Sequence, residues 1–200
     1  DKVYRLFKSV GYDCAAMDSD DRRLVLTDER GEISYLLVKP SDVAIYVEHG
    51  AADVGVVGKD VLLEGGSDVY ELLDLGFGKC CMAEAAPVGF REDRQRPLRV
   101  ATKYPAIARR FYAAQSREIE IIKLNGSIEL APLLGLSDVI VDIVETGTTL
   151  RQNNLEVTRE ILPISARFIA NKAAMKFKEP AISRLLSRIQ DQLNQKEERP

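Results

Sequence analysis

The residues best suited to chemistry lie in one run, VIVDIVETGTTLRQNNL, at 139–155. Its apolar first half reads as a buried strand that delivers Asp142 near its end. The chain then turns through Glu145, Thr146, Gly147, Thr148 and Thr149 into a helical turn at Leu150. Such a loop suits an anion. Amides at a helix start have no intrahelical acceptor, glycine lets backbone come close, and threonine hydroxyls donate to phosphate oxygens, so one phosphate is held without a lysine. A carboxylate accepts two hydroxyl protons, so Asp142, with Glu145 beside it, suits the vicinal hydroxyls of a ribose. The run reads as a receptor for ribose 5-phosphate. Taken by itself TGTT is also an ordinary helix-capping cluster, and these letters leave both readings open.

Other reactive side chains read as structural. His49, the single histidine, stands before Gly50 at a helix end, where a partly cationic ring suits the helix dipole. Cys80 and Cys81 are neighbours in a strand and face opposite sides, which argues against shared metal ligation. With Cys14 they form no CxxC pattern, and a reduced, cytosolic compartment fits. Lys+Arg 28 against Asp+Glu 31 leaves a net charge of -3, so no global field draws the chain to nucleic acid or an anionic membrane. No apolar run reaches the roughly 20 residues of a membrane span, and the opening DKVYRLFKSV lacks the apolar core of a signal peptide.

The elements that must position these residues alternate. With 200 residues, 46% hydrophobic, the chain can build two lobes with cores of their own. Residues 2–10 form a helix stopped at Gly11, 24–27 and 33–38 are β-runs joined by DERG, and Pro40, Ser41 and Asp42 open a helix that Gly50 closes. ADVGVVG reads as a buried strand and KDVLLEGG as a short helix, giving β-α-β-α over 33–66. The polar FREDRQRP resembles a linker. After it come a strand at 99–102, a helix at 106–116, a strand at 119–124, a helix at 128–134 and the strand at 139–144. EVTREILPISARFIAN is β-rich, and a final helix aligns Ile182, Leu185, Leu186 and Ile189. This predicts an α/β fold with mostly parallel sheet: a first lobe of 1–86 plus 165–200, a second lobe of 87–164, and a ligand cleft between them.

The run NGSIELAPLLGLSDVIVDIVETGTTLRQNNL resembles, over its whole length, the signature region of the ATP phosphoribosyltransferases. ADVGVVGKDVL is similar to that family's DxGIxGxDVL element and RVATKYP to the opening strand of its second domain. The resemblance implies a two-lobed fold of the periplasmic-binding-protein type II kind. It implies transfer of the phosphoribosyl group of phosphoribosyl pyrophosphate to N1 of ATP, the entry to histidine biosynthesis. It makes 145–149 the phosphate loop, with Leu150 closing the motif, and Asp142 the ribose ligand. Glu129 becomes an acidic position of the cleft, holding Mg²⁺ or the purine ring. Asp53, Gly55, Gly58 and Lys59 line the opposite side, and Lys103 and Tyr104 are secondary candidates for diphosphate or hinge contacts. Mg²⁺ is expected mainly on substrate phosphates, with few protein ligands.

The sequence also departs from that pattern. The basic LPKGRL-type motif with which family members begin is absent, and the residues open inside what would be the next helix. Lys39 stands where the family usually has Arg, keeping the charge and losing the planar fork. Arg22 and Arg23 resemble a position that contacts ATP. The chain ends at QDQLNQKEERP, leaving no room for a histidine-binding domain; this resembles the short form, which recruits a regulatory subunit related to histidyl-tRNA synthetase. A homodimer within a hetero-oligomer is expected, with the apolar faces of Val3, Leu6 and Phe7 or of 182–189 available for contacts. A solute-binding module and a catalytically idle homologue are the competing readings.

Overall fold

The computed structural model of the chain describes residues 2–18 and 22–197. In chain order they form α1 (Lys2–Ser9), β1 (Val25–Thr27), β2 (Ser34–Leu36), α2 (Val43–Glu48), β3 (Val54–Gly58), α3 (Lys59–Gly65), β4 (Tyr70–Asp74) and β5 (Cys80–Pro87). There follow β6 (Leu98–Thr102), α4 (Pro105–Ala113), β7 (Ile119–Lys123), α5 (Leu130–Leu133), β8 (Val139–Val144) and α6 (Thr148–Gln152). The chain closes with β9 (Leu155–Ile164), β10 (Ala166–Ala170), α7 (Lys172–Phe177) and α8 (Glu179–Glu197). It divides into two compact units, Asp1–Gly58 with Ser67–Gly76 and Ala166–Pro200, and Lys59–Gly66 with Phe77–Ser165.

The first unit is built on β10. Its Phe168, Ile169 and Ala170 are wholly buried, and it runs antiparallel between β3 and β4. Gly55 on β3 is a packing requirement: a Cβ there would come within 2.8 Å of Val43 and Val47, so its absence lets α2 lie against the strand. Asn171 joins the ends of two helices, accepting from the Ala174 amide at 2.9 Å to cap α7 and donating to the Val47 carbonyl at 2.8 Å to close α2. β1 and β2 form a separate antiparallel hairpin whose turn is held by Asp28, accepting from the Glu32 amide at 2.7 Å and the Ile33 amide at 2.9 Å. So β2 and β3, the two strands of the β-α-β-α run read over 33–66, belong to different sheets. The apolar faces expected to wait for a partner are used inside this unit. Leu6, Phe7, Ile182, Leu185 and Ile189 are buried, Phe7 lies against Phe168, and Val3 alone of the named α1 residues is exposed.

The second unit holds a five-stranded sheet in the order β7-β6-β8-β5-β9. β6 pairs parallel with β7 and β8, as a βαβαβ pattern dictates. β5 pairs antiparallel with β8 and β9. The expectation of a mostly parallel sheet is corrected here, and β4 and β5 explain why: both come from stretches read without strand pairing, and β5 inserts where a helical crossover would otherwise keep the direction. The boundary at 86/87 is corrected for the same reason, since β5 lies inside the sheet. The helix α3, placed by sequence in the first lobe, packs on α4, where the Glu64 carboxylate accepts from the Ala106 and Ile107 amides at 3.0 Å.

The segment FREDRQRP is no linker. Arg117 donates to Glu92 at 2.6 Å, and Arg96 forks onto Asp138 at 2.7 and 2.9 Å. Asp138 also accepts from the Arg99 backbone amide at 3.0 Å and its guanidinium at 2.8 Å. These bonds hold the Asp138 carboxyl far below the usual carboxylate range, with the Arg96 bond the largest cause. A second buried carboxylate, Glu84 of β5, is satisfied by the Thr158 hydroxyl at 2.6 Å, Arg159 Nε at 3.0 Å and the Tyr112 hydroxyl.

Candidate functional site

The C-terminal end of β8 carries Asp142 into a cavity of about 280 Å³ lined by Glu129, Asp142 and residues 143–150. β8 gets there because Val139, Ile140 and Val141 are buried, while the strand emerges at Asp142. The next turn needs Gly147, whose φ of +68° lies in the left-handed region that β-branched residues resist. Leu150, expected as part of the substrate site, is buried among Ala85, Ala101, Ile128 and Leu155; its side chain anchors the loop from beneath. Above that anchor the Thr146 and Thr148 hydroxyls stand 3.0 Å apart, and Thr149 is exposed. Among the described residues the amides of Thr146 and Gly147 have no protein acceptor. The following helix α6 has five residues, so its dipole is small and the loop offers mainly amides and hydroxyls.

The cavity is acidic where Glu129 and Asp142 line it. Burial pushes the Asp142 carboxyl up, the bond from the Ile143 amide at 2.8 Å pulls it down, and the charge of Glu129 raises it further. The charge of Lys103 opposes that rise, which places an exposed cation in the field of Asp142. Glu129 reaches the cavity from the turn before α5, where Ser127 is held at φ +49°. Nearby, the Tyr104 hydroxyl donates to Asp60 at 3.2 Å, and burial with that carboxylate pushes its pKa up. The Cys80 thiol is raised by burial and by Asp60 and Glu145, and the Cys81 thiol by burial. Neither is an activated nucleophile. The arrangement is suited to gripping a neutral or cationic polyol beside a phosphate.

The family model for ATP phosphoribosyltransferase (HisG) matches residues 39–191. An ATP phosphoribosyltransferase of Brachyspira hyodysenteriae is 56% identical over 193 residues, covering 96% of this chain and 94% of that protein. One from Clostridioides difficile is 52% identical over 186 residues, covering 92% and 88%. The chain belongs to the ATP phosphoribosyltransferase family. Among solved structures, the ATP phosphoribosyltransferase (HisG:HisZ) complex from Thermotoga maritima matches with a TM-score of 0.84 and 34% identity, over 97% of this chain and 93% of that one. The alkanesulfonate-binding protein SsuA from Xanthomonas axonopodis pv. citri matches at a TM-score of 0.52 and 14% identity, over 80% of this chain and 62% of that one, which shows a shared fold alone.

Within this ATP phosphoribosyltransferase family member, the residues expected at the ATP side lie in the first unit and have mixed surroundings. Arg22, Arg23 and Lys39 are exposed beside the β1-β2 hairpin. The Asp53 carboxylate is held by Lys178 at 2.8 and 2.9 Å, Gly55 serves α2 packing, and Gly58 ends β3 opposite Ala166. These contacts give Asp53 and Gly55 structural reasons independent of any nucleotide. His49 caps α2, with its Nδ1 3.0 Å from the Ile45 carbonyl.

Two residues escaped sequence reasoning. The Thr102 hydroxyl, wholly buried, donates to the Val141 carbonyl at 2.6 Å and accepts from the Tyr104 amide at 2.8 Å, tying β6 to β8 one residue before Asp142. Nothing in a β-run marks one threonine as a staple. Arg151 donates to the Thr148 hydroxyl at 3.2 Å. Its i+3 spacing from Thr148 was the available signal.

Among the described residues, no group of three or more His, Cys, Asp or Glu is clustered to hold a metal, and no helix is long and apolar enough to cross a membrane. The donors at the cavity, Glu129, Asp142 and Glu145, are hard oxygens. They fit a Mg²⁺ ion that brings most of its ligands with a phosphorylated substrate.

Proposed function

We propose that this chain transfers the 5-phosphoribosyl group of phosphoribosyl pyrophosphate to N1 of ATP, releasing diphosphate, the first step of histidine biosynthesis. The observation that carries the site assignment is one cavity joining the carboxylates of Glu129 and Asp142 to the amides and hydroxyls of 145–149. The loop takes the 5-phosphate and Asp142 the ribose hydroxyls; Arg22, Arg23 and Lys39 are the candidates for ATP.

N1 of adenine attacks the anomeric carbon as the bond to diphosphate breaks, so positive charge grows on the ribose ring and negative charge on the leaving group. Asp142 is partly desolvated, and a desolvated carboxylate gains more from an adjacent positive charge than a hydrated one. It therefore binds the ring more tightly in the transition state than in the ground state. Anchoring of the 5-phosphate fixes the anomeric carbon for attack. Lys103 supplies positive charge near the same carboxylate, and Mg²⁺, when bound, neutralises phosphate charge.

The chain acts in the cytoplasm as the catalytic subunit of a short-form enzyme, a homodimer within a hetero-oligomer. The Thermotoga maritima HisG:HisZ complex supports a regulatory subunit of the HisZ kind, related to histidyl-tRNA synthetase. A diphosphate-release assay with ATP, phosphoribosyl pyrophosphate and Mg²⁺, with and without such a subunit, tests the reading. Activity that requires both substrates is expected, and a chain inactive in both mixtures is instead the idle homologue.

A further inference from the structure

The cavity at the end of β8 has carboxylates at positions 129, 142 and 145, yet the reading above puts a phosphate dianion in it. Acidic side chains repel that dianion, and amides and hydroxyls offset the repulsion only in part. A cation at the phosphate end would settle the balance. Several arginines elsewhere in this unit are engaged: Arg96 and Arg99 with Asp138, Arg117 with Glu92, and Arg159 with Glu84. Arg151 differs. Among the described residues it forms no ion pair, it is exposed, and one guanidinium nitrogen donates to the Thr148 hydroxyl at 3.2 Å. Its other terminal nitrogen stands 3.2 Å from where a Cβ on Gly147 would lie. The guanidinium is therefore laid over the crown of the loop, with further N–H donors left for an anion.

We propose that Arg151 is a phosphate-binding residue of this site, closing over Gly147 onto the 5-phosphate of the ribose substrate. The proposal rests on the reading of 145–149 as the phosphate loop. It adds a polarity to the cavity: a carboxylate end for the sugar hydroxyls and a guanidinium end for the phosphate. A planar guanidinium offers two parallel N–H donors to a phosphate, which a lysine ammonium does not. Arg151 also gives Gly147 a second reason beyond its backbone angle, because a side chain there would push the guanidinium off the loop.

Calorimetric titration of phosphoribosyl pyrophosphate and of ribose 5-phosphate into the full chain, at two salt concentrations, tests this with Arg151→Gln, Arg151→Lys and Gly147→Val. Arg151→Gln should weaken both ligands by a similar factor, about tenfold to hundredfold for loss of a charge-assisted bond. The shared factor follows because ribose 5-phosphate lacks the diphosphate, so only the 5-phosphate is common to the two. The salt dependence should become shallower, and Arg151→Lys should recover part of the loss. Wild-type affinity in Arg151→Gln with binding abolished in Gly147→Val overturns the role of Arg151 while the loop reading stands. Unchanged affinity in Gly147→Val as well overturns the loop reading itself. Weakening of phosphoribosyl pyrophosphate alone puts the arginine at the diphosphate and also overturns the proposal.

Discussion

Asp142 shows how one side chain is both a structural burden and a chemical tool. Its carboxyl is pushed up chiefly by burial, so its ionised form is disfavoured in the folded chain relative to the unfolded one. That penalty is absent below the usual carboxylate range and complete above the raised value. Asp142→Asn should therefore melt slightly higher than wild type near neutral pH, with the gain vanishing below about pH 3, where Asp142 is protonated in the folded and the unfolded chain alike. The same variant should lose about 10- to 1000-fold in turnover, the range for a charge that stabilises the transition state. Steady-state kinetics beside thermal melts measures both; wild-type turnover would move the ribose site elsewhere. Gly147→Val is a backbone change of another kind. It places a β-branched residue at φ +68°, at a cost of about 1–2 kcal/mol, and should abolish phosphoribosyl pyrophosphate binding while the core beneath Leu150 stays folded.

At the scale of elements, the end of β8 is positioned by its two neighbours, β6 and β5. Thr102 fixes it to β6, and Thr102→Val keeps the volume while leaving the Val141 carbonyl and Tyr104 amide without their partner. A loss of about 2 kcal/mol in denaturant unfolding is expected, with Thr102→Ser recovering most of it. The loop before β6 depends on Asp138, buried under Arg96 and Arg99. Because its folded pKa is lowered, its contribution is present above the ordinary carboxylate range and is lost as pH falls through the depressed value. Asp138→Asn should cost about 1 kcal/mol at neutral pH, since both guanidiniums are more than a third exposed and solvent screens the pairs, and the gap to wild type should narrow in strong acid. A constant gap across pH in urea titrations would show that the pair's charge is not what holds the loop.

At the scale of the molecule, regulation is expected to come from outside this chain. Most of the apolar residues of α1 and α8 that looked available for assembly are packed in the first unit, while Val3 is exposed. The purified chain should be insensitive to histidine. Mixed with a HisZ-type subunit, it should form a larger species in light scattering and acquire histidine inhibition. Inhibition of the chain alone by histidine would contradict this division of labour.

The sequence by itself determined what depends on neighbours along the chain. The apolar run of β8, the glycine and threonines after it, the DERG turn and the βαβαβ order of the second unit are all local patterns, set by side-chain period and backbone preference. The residues of the loop and Asp142 were legible for the same reason. Tertiary structure decided everything that depends on distant partners. The strand β5 could be seen as apolar, but not that it runs antiparallel between β8 and β9, because pairing direction is not written in alternation. FREDRQRP looks solvated until Asp138 and Arg117, far along the chain, take up its charges. That α2 needs the missing Cβ of Gly55 could be seen only once Val43 and Val47 were placed against it. Arg151 drew no reading from the sequence, and only the fold of the loop back beneath its guanidinium separates it from the paired arginines of the same unit.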